Sequence, residues 1–391
     1  MTRWKQVKIG AVCLVERGSS PRPIDKYITD DPSGVNWIKI GDTTESMYIT
    51  CTAQKILPAG AKKSRVVHAG DFLLSNSMSF GRPYILSIDG CIHDGWLVLK
   101  DPDNAFDKHF LYYCLSSPAI YAKFKAMAVG GVVNNLNSEM VRNVEIPFPP
   151  LEEQRRIAAV LDKVTDLIAK RQAQLDKLDE LVKARFVEMF GEPGTDQKGG
   201  GMVCLGSLCI INPKKSQEKR LSSDLRVSFI PMTAVTENGG IDVSETKTYN
   251  EVKTGFTYFA EKDVLFAKIT PCMENGKGAI AQRLCNGIGF GSTEFHVLRP
   301  IPGQSNPYWI YSLTSFPQFR QDAASNMTGS AGQRRVPASF LETYKVSAPP
   351  IALQDQFALF VKQIQRMKAK AHNSLEKLDV LKNSLMQQYF G

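Results

Sequence analysis

What the chain lacks narrows its reading first. No run of apolar residues reaches the length of a membrane span. The opening Met1-Thr2-Arg3-Trp4-Lys5 has charge but no apolar stretch of secretion-signal type behind it. The eight cysteines form no CxxC pair, and the closest two, Cys204 and Cys209, have no histidine near them. They read as reduced core thiols of a cytosolic, cytoplasmic protein rather than as disulfides or zinc ligands. Catalytic signatures are missing too. The nearest approach to the Asn/Asp-Pro-Pro-aromatic string of an adenine methyltransferase is Asn212-Pro213-Lys214-Lys215, without the second proline or the ring. Asn275-Gly276-Lys277-Gly278 has the Gly-Lys of a phosphate-cradling loop but neither its earlier glycine nor its Ser/Thr. Glu245-Thr246-Lys247 has part of a nuclease carboxylate–lysine site, with no Pro-Asp pair before it at useful spacing. The histidines at 68, 93, 109, 296 and 372 fall in no metal-ligand pattern. The expectation is a chain with no catalytic residues and no metal of its own.

What is present is a repeat. The segment from Pro149, PPLEEQRRIAAVLDKVTDLIAKRQAQLDKLDELVKARFVEMFG, aligns without a gap to the segment from Pro349, PPIALQDQFALFVKQIQRMKAKAHNSLEKLDVLKNSLMQQYFG. The two share 13 of 43 positions, including the Pro-Pro start, Gln154 and Gln354, and the Phe-Gly end. Weaker echoes flank them. Ile9-Gly10-Ala11-Val12-Cys13 is like Leu205-Gly206-Ser207-Leu208-Cys209, and Gly70-Asp71-Phe72 is like Lys262-Asp263-Val264. Between such islands the halves differ freely. A repeat of this length sets the architecture. It divides the 391 residues into a globular domain over 1–148, a long helix over 149–191, a second domain over 192–348 and a second long helix over 349–391.

The helices follow from spacing. Ile157, Leu161, Val164, Ile168, Leu175, Leu178, Val182 and Met189 keep the three-four rhythm of a coiled-coil seam, interrupted by Arg171 and Arg185. Phe357, Val361, Ile364, Ala371, Leu375, Leu378, Leu385 and Tyr389 keep the same frame, interrupted by Lys368 and Lys382. The prolines set each start and Gly191 stops the first helix. A lone amphipathic helix needs cover for its apolar stripe. The matched repeat supplies it, so the two helices are expected to pair antiparallel as a coiled coil within a pseudo-twofold tandem repeat; a homodimeric coiled coil is the competing arrangement. Gly191–Gly201 reads as a flexible connection.

The domains read as mixed α/β, of the α+β class. Strands are expected at 37–40, 72–74, 84–88, 96–99, 229–232, 264–267 and 294–298, with short helices at 108–115 and 307–313. The net charge of +9 permits a nucleic-acid partner, and the two large segments carry equal, modest positive charge, each with 17 Lys and Arg against 14 Asp and Glu. Basic clusters stand at Lys62, Lys63 and Arg65, at Lys214, Lys215, Lys219 and Arg220, and at Arg334-Arg335.

Gly332-Gln333-Arg334-Arg335-Val336-Pro337 leading to Pro349-Pro350-Ile351, with its counterpart Asn135-Leu136 leading to Pro149-Pro150-Leu151-Glu152-Glu153-Gln154, resembles the type I restriction-modification specificity-subunit family. Two departures are Leu353, where that family favours Glu, and Val132-Val133-Asn134-Asn135, where the second half has Gly332-Gln333-Arg334-Arg335. The resemblance implies two target-recognition domains, each reading half of a split double-stranded DNA target. It implies helices that measure the gap and dock two methyltransferase subunits, to which two motor-nuclease (restriction and translocation) subunits bind. S-adenosylmethionine, ATP and magnesium would belong to those partners and not to this chain. Sequence is read from base edges while Lys and Arg hold phosphates. Polar loops beside strand ends therefore supply the candidate DNA contacts. In the first domain these are Ser19, Arg22, Lys39, Asp42, Thr43, Ser75, Asn76, Ser79 and Arg82. In the second they are Lys214, Lys215, Lys268, Thr270, Asn275, Lys277, Arg334 and Arg335. A coiled-coil scaffold with no nucleic-acid role is the alternative, and it predicts no DNA affinity.

Overall fold

The computed structural model describes residues 4–76, 80–128, 135–197, 201–215, 221–330 and 332–391. The chain divides into two units: Met1–Gln172 with Asn373–Gly391, and Ala173–His372. Each unit therefore takes the opening turns of one long helix and the closing turns of the other.

Both long helices run 40 residues, Leu151–Phe190 and Ile351–Phe390, starting directly after their Pro-Pro pairs. Gly191 ends the first with φ +81° and an N–H donated to the Val187 carbonyl, a backbone geometry that glycine adopts without Cβ strain. In the second unit the two helices lie antiparallel: Phe186 and Phe190 set their rings edge-on to Phe357, and farther along Lys368 Nζ donates to Asp179 Oδ1 at 2.7 Å. The lysine that breaks the apolar rhythm is thus placed opposite a carboxylate. In the first unit Ile157, Ala158 and Leu161 share a core with Met386, Tyr389 and Phe390. In the connection Gly191 and Pro193 are buried while Glu192, Gly194, Asp196 and Gln197 are exposed; residues 198–200 lie outside the described residues.

The first unit holds a short pairing of Gln6–Lys8 with Glu145–Pro147 and two five-stranded sheets. One sheet runs Leu14–Arg17, Trp96–Lys100, Phe72–Ser75, Pro83–Leu86, Tyr48–Ile49. The other runs Ile28–Thr29, Lys55–Ile56, Val35–Ile38, Gly90–Ile92, Arg65–Val67. In the second unit Met202–Cys204 pairs with Lys345–Ser347 beside two four-stranded sheets. These run Cys209–Ile211, Phe295–Pro300, Val264–Ala267, Gly278–Ile280, and Thr246–Thr248, Arg226–Ile230, Ile288–Gly291, Thr257–Ala260. The strands are short and alternate with turns, and their inward residues (Phe72, Leu74, Leu97 and Leu99; Val264, Phe266 and Leu298) join cores completed by the helices Lys108–Ser116 and Pro307–Ser315.

Three expected strands end two residues early: Pro83–Leu86 stops short of Ile88, and the other two end for a local reason. The strand at Val35–Ile38 gives way to a tight turn over Ile40–Asp42, where the Asp42 carboxylate accepts from the Lys39 N–H at 2.7 Å. Arg226–Ile230 stops before Pro231, which has no N–H for a ladder, and Met232–Ala234 turns. Cys13, Cys91, Cys114 and Cys209 are buried as core thiols, whereas Cys51 is at the surface.

Candidate nucleic-acid interface

In the first unit three of the sequence-derived candidates, Ser19, Arg22 and Lys39, stand near the turn at His93–Gly95. Burial holds the His93 imidazole below its ordinary pKa, so the ring is neutral near pH 7, and its Nδ1 accepts from the Gly95 N–H at 2.7 Å. Ser20 Oγ donates to Asp94 Oδ1 at 2.8 Å, which holds that carboxyl below the usual carboxylate range. The exposed Arg22 guanidinium stands 3.7 Å from the other oxygen. Ser20, Arg22, Trp37, Lys39, His93 and Asp94 line one open cleft, while the Ser19 hydroxyl is directed at the Lys63 carbonyl. Lys39 Nζ donates to Gln54 Oε1 at 2.8 Å.

Four other candidates in this unit have local partners that account for their polarity. Asp42 also accepts from the Ala53 N–H at 3.0 Å, and Thr43 Oγ1 donates to the Ile40 carbonyl at 2.8 Å. Ser75 and Asn76 are 1% and 2% exposed. Ser75 Oγ accepts from the Arg82 N–H, and Asn76 Nδ2 donates to the Asp94 carbonyl at 2.8 Å. Arg82 is exposed at a separate hairpin turn, beside Phe80, Tyr112 and Tyr121. Ser79 lies outside the described residues.

The second unit gathers its candidates more tightly. The Thr270 N–H donates to the Arg334 carbonyl at 3.1 Å, Ile269 bridges Arg335, and the Lys268 carbonyl accepts from Val336 N–H at 2.9 Å. Asn275 is exposed on the adjoining turn, and Lys277 Nζ reaches the Met232 carbonyl at 3.3 Å. Lys268, Thr270, Asn275, Lys277, Arg334 and Arg335 are thus brought together from segments some 60 residues apart in sequence. Buried His296 ties the group to its sheet. Its Nε2 donates to the Val336 carbonyl at 2.8 Å, and burial keeps it neutral. Lys214 and Lys215 lie elsewhere: Lys214 is exposed, while Lys215 Nζ sits 4.0 Å from the Tyr249 ring centroid and donates to its hydroxyl. Lys219 and Arg220 of that basic cluster are outside the described residues.

Sequence reasoning missed the carboxylates in the second group. Glu294 takes Arg335 bidentately at 2.8 and 2.9 Å, and Glu274 takes Arg334 at 3.3 Å. Hydrogen bonding from Arg335 holds the Glu294 carboxyl below its ordinary range. Such pairs aim guanidinium groups while leaving donor edges at the surface. No signal in the sequence names these partners, because each acid is 41 or 60 residues from its arginine. Among the described residues no group of three or more His, Cys, Asp or Glu could hold a metal ion, and no helix is long and apolar enough to cross a membrane.

The profile of the type I restriction modification DNA specificity domain family matches residues 1–179 and again 198–379. The chain belongs to this family. Among relatives, it is 37% identical over 216 residues to the EcoEI type I restriction enzyme specificity subunit of Escherichia coli, a match covering 54% of this chain and 34% of that protein. It is 37% identical over 231 residues to the EcoAI specificity subunit of the same organism, covering 58% and 37%. The matched regions therefore span about a third of the length of those relatives. A solved chain from work on complex assembly and conformational transition of the type I R-M system has a TM-score of 0.59 at 18% identity, covering 99% of this chain and 97% of that one. The type I restriction-modification S subunit from M. genitalium has a TM-score of 0.56 at 15% identity, covering 100% and 96%. These two likenesses establish the fold. The double match of the specificity-domain profile falls on both units, so each candidate interface lies within a copy of that domain.

Proposed function

We propose that this chain is the sequence-specific DNA-binding subunit of a type I restriction-modification system, without catalytic residues of its own. The observation that carries the reading is the gathering of Lys268, Thr270, Asn275, Lys277, Arg334 and Arg335 at adjoining loop ends of a specificity domain. They combine hydroxyl, amide and cationic donors, the types that read base edges and hold phosphates. The first domain offers Arg22, Lys39 and Arg82 for the same work. Ser75 and Asn76, being buried, would shape its loops rather than touch DNA.

On this reading residues 1–148 and 192–348 each recognise half of a bipartite double-stranded target. The helices 149–191 and 349–391 form one antiparallel coiled coil in a pseudo-twofold frame that sets the spacer. The outer faces of those helices keep apolar residues exposed, with Leu359 at 62% and Val380 at 69%. That supports docking of two methyltransferase subunits, which in turn carry two restriction-translocase subunits in the cytoplasm. S-adenosylmethionine, ATP and magnesium would be bound by those partners.

A domain exchange tests the reading. Replacing residues 1–148 with the corresponding domain of another such subunit should change one half of the methylated target and leave the other half and the spacer as they were. Methylome sequencing of cells carrying the chimera decides it, and a change in both half-sites, or in neither, refutes it.

A further inference from the structure

The turn between Val264–Ala267 and Gly278–Ile280 carries Asn275 and Lys277 and follows Thr270. Its amides are satisfied within the turn: Asn275 N–H donates to the Pro271 carbonyl, Gly276 N–H to Met273 and Lys277 N–H to Cys272, at 2.9, 3.0 and 3.0 Å. Three of its carbonyls, those of Met273, Gly276 and Lys277, face a single side chain. Arg320 Nη1 donates to the Met273 carbonyl at 2.9 Å and approaches that of Lys277 at 3.5 Å, and Nη2 donates to Gly276 at 3.2 Å. Its Nε donates to the Thr314 carbonyl at 2.6 Å, at the end of the Pro307–Ser315 helix. The guanidinium carbon lies 4.5 Å from the Phe266 ring centroid.

This arginine is unusual in its company. It is 7% exposed, and every hydrogen bond it makes among the described residues goes to a backbone carbonyl, none to a carboxylate. Burial pushes its pKa down to about 10, so it is still a cation at neutral pH. Burying a cation without a counter-charge is costly, and packing alone would be served better by an apolar residue. What a guanidinium adds is a rigid fork of five donors that holds several carbonyls at fixed angles. The backbone is close at Gly278, where a Cβ would stand 2.9 Å from the Leu265 carbonyl oxygen and 3.4 Å from Arg320 Nη2. In the first unit the matching place, three residues after the proline that opens the next helix, is Tyr121. It stacks on Phe80 at 5.9 Å and donates no such fork.

We infer that Arg320 is a positioning residue for DNA reading by the second domain, holding the 271–278 turn in the one conformation that presents Asn275 and Lys277 to their half-site. The inference rests on the DNA-reading function proposed above. Arg320 acts through the turn and does not itself meet DNA.

The test uses the full chain with Arg320→Lys, which keeps the charge and loses the fork, and Arg320→Met, which loses both. Hydrogen exchange of the full chain reads the amides of Asn275, Gly276 and Lys277. The methyltransferase complex carrying each variant is then challenged with duplex oligonucleotides randomised in one half-site at a time. Leaving one buried carbonyl unsatisfied corresponds to roughly tenfold in an equilibrium. Arg320→Lys should therefore speed exchange at those three amides about tenfold and relax discrimination at the second half-site by about tenfold, with the first half-site unchanged. If Arg320→Met fails to fold, the lysine variant carries the result alone. Wild-type exchange and wild-type discrimination in the lysine variant overturn the inference, as does equal loss at both half-sites. A wild-type complex with no sequence preference at either half-site would sink the DNA-reading proposal itself, a different result from a normal preference that survives Arg320→Lys.

Discussion

The two units solve the same joint once identically and once differently. Gln154 and Gln354, both fully buried, make matching sets of bonds. Gln154 Oε1 accepts from Asp107 N–H at 2.9 Å, and its Nε2 donates to the carbonyls of Ala105 and Pro149. Gln354 Oε1 accepts from Asn306 N–H at 2.9 Å, and its Nε2 donates to the carbonyls of Gln304 and Pro349. Two turns farther along the helices the likeness stops. In the first unit His109 bridges Asp162, at 2.6 Å, and the Tyr48 hydroxyl, at 2.5 Å, and Tyr113 donates to the other Asp162 oxygen at 2.8 Å. In the second unit the same places hold Tyr308 and Lys362, with the ammonium 5.2 Å from the ring centroid and Gln282 donating to the Tyr308 hydroxyl at 2.9 Å. Where a side chain satisfies backbone groups at a chain crossing, only its own geometry serves. Where side chains meet each other, any complementary pair closes the gap.

That contrast is open to breakage. The largest effect is expected at the shared joint: Gln154→Leu and Gln354→Leu should each cost about 3 kcal/mol, since three buried backbone partners lose their bonds. Urea denaturation followed by a probe in each unit measures this, and a cost confined to one glutamine would end the claim of a common joint.

A smaller effect tests the divergent pair. Tyr308→His and Lys362→Asp should each destabilise the second unit, and the double variant should recover about 1 kcal/mol of coupling. A double-mutant cycle that returns no coupling would mean the surroundings of each pair, rather than the pair, decide which chemistry fits.

Smaller still is a backbone difference. The turn before the Asp71 carboxylate uses Gly70 at φ +94°, while the matching turn before Asp263 uses Lys262 at φ +73°. The left-handed region costs a side-chain-bearing residue about 1 kcal/mol. Lys262→Gly should be neutral or stabilising by about 0.5 kcal/mol, and Gly70→Ala should destabilise by about 1 kcal/mol. Thermal melts of the two variants compare them, and destabilisation by Lys262→Gly would show that the lysine side chain outweighs its backbone strain.

The mildest effect is a pH response at the Glu294–Arg335 pair of the second unit. The Glu294 pKa is lowered in the folded protein, chiefly by Arg335. The pair's contribution is therefore fully present above the unfolded glutamate value of about 4.3 and lost as pH falls through the folded value. Amide exchange at Thr328 and Arg335, whose N–H groups bond each other's carbonyls, should rise in acid below about pH 4. In Glu294→Gln it should already be raised at neutral pH and respond less to acid.

Much of this organisation is legible in the residues themselves. Pro-Pro at each start, Gly191 at one stop and the three-four apolar rhythm are enough to place both 40-residue helices, because those signals act locally along the chain. The strands at Val264–Ala267 and Trp96–Lys100 declare themselves by apolar, β-favouring runs between turns. The candidate interface is only partly legible. Residue type nominates Arg334, Arg335 and Lys277, yet nothing in type or spacing separates the exposed Arg22 from the buried Asn76, or reveals that Glu294 and Glu274 answer the arginines. The tertiary structure alone decides that the closing turns of the first helix pack with the second unit, through Phe186 and Phe190 on Phe357, and that Arg320 turns inward to four carbonyls. An apolar stripe or a guanidinium states in sequence that a partner is needed. Which partner it meets depends on contacts between residues dozens to hundreds of positions apart, set only when burial and hydrogen bonding are satisfied together.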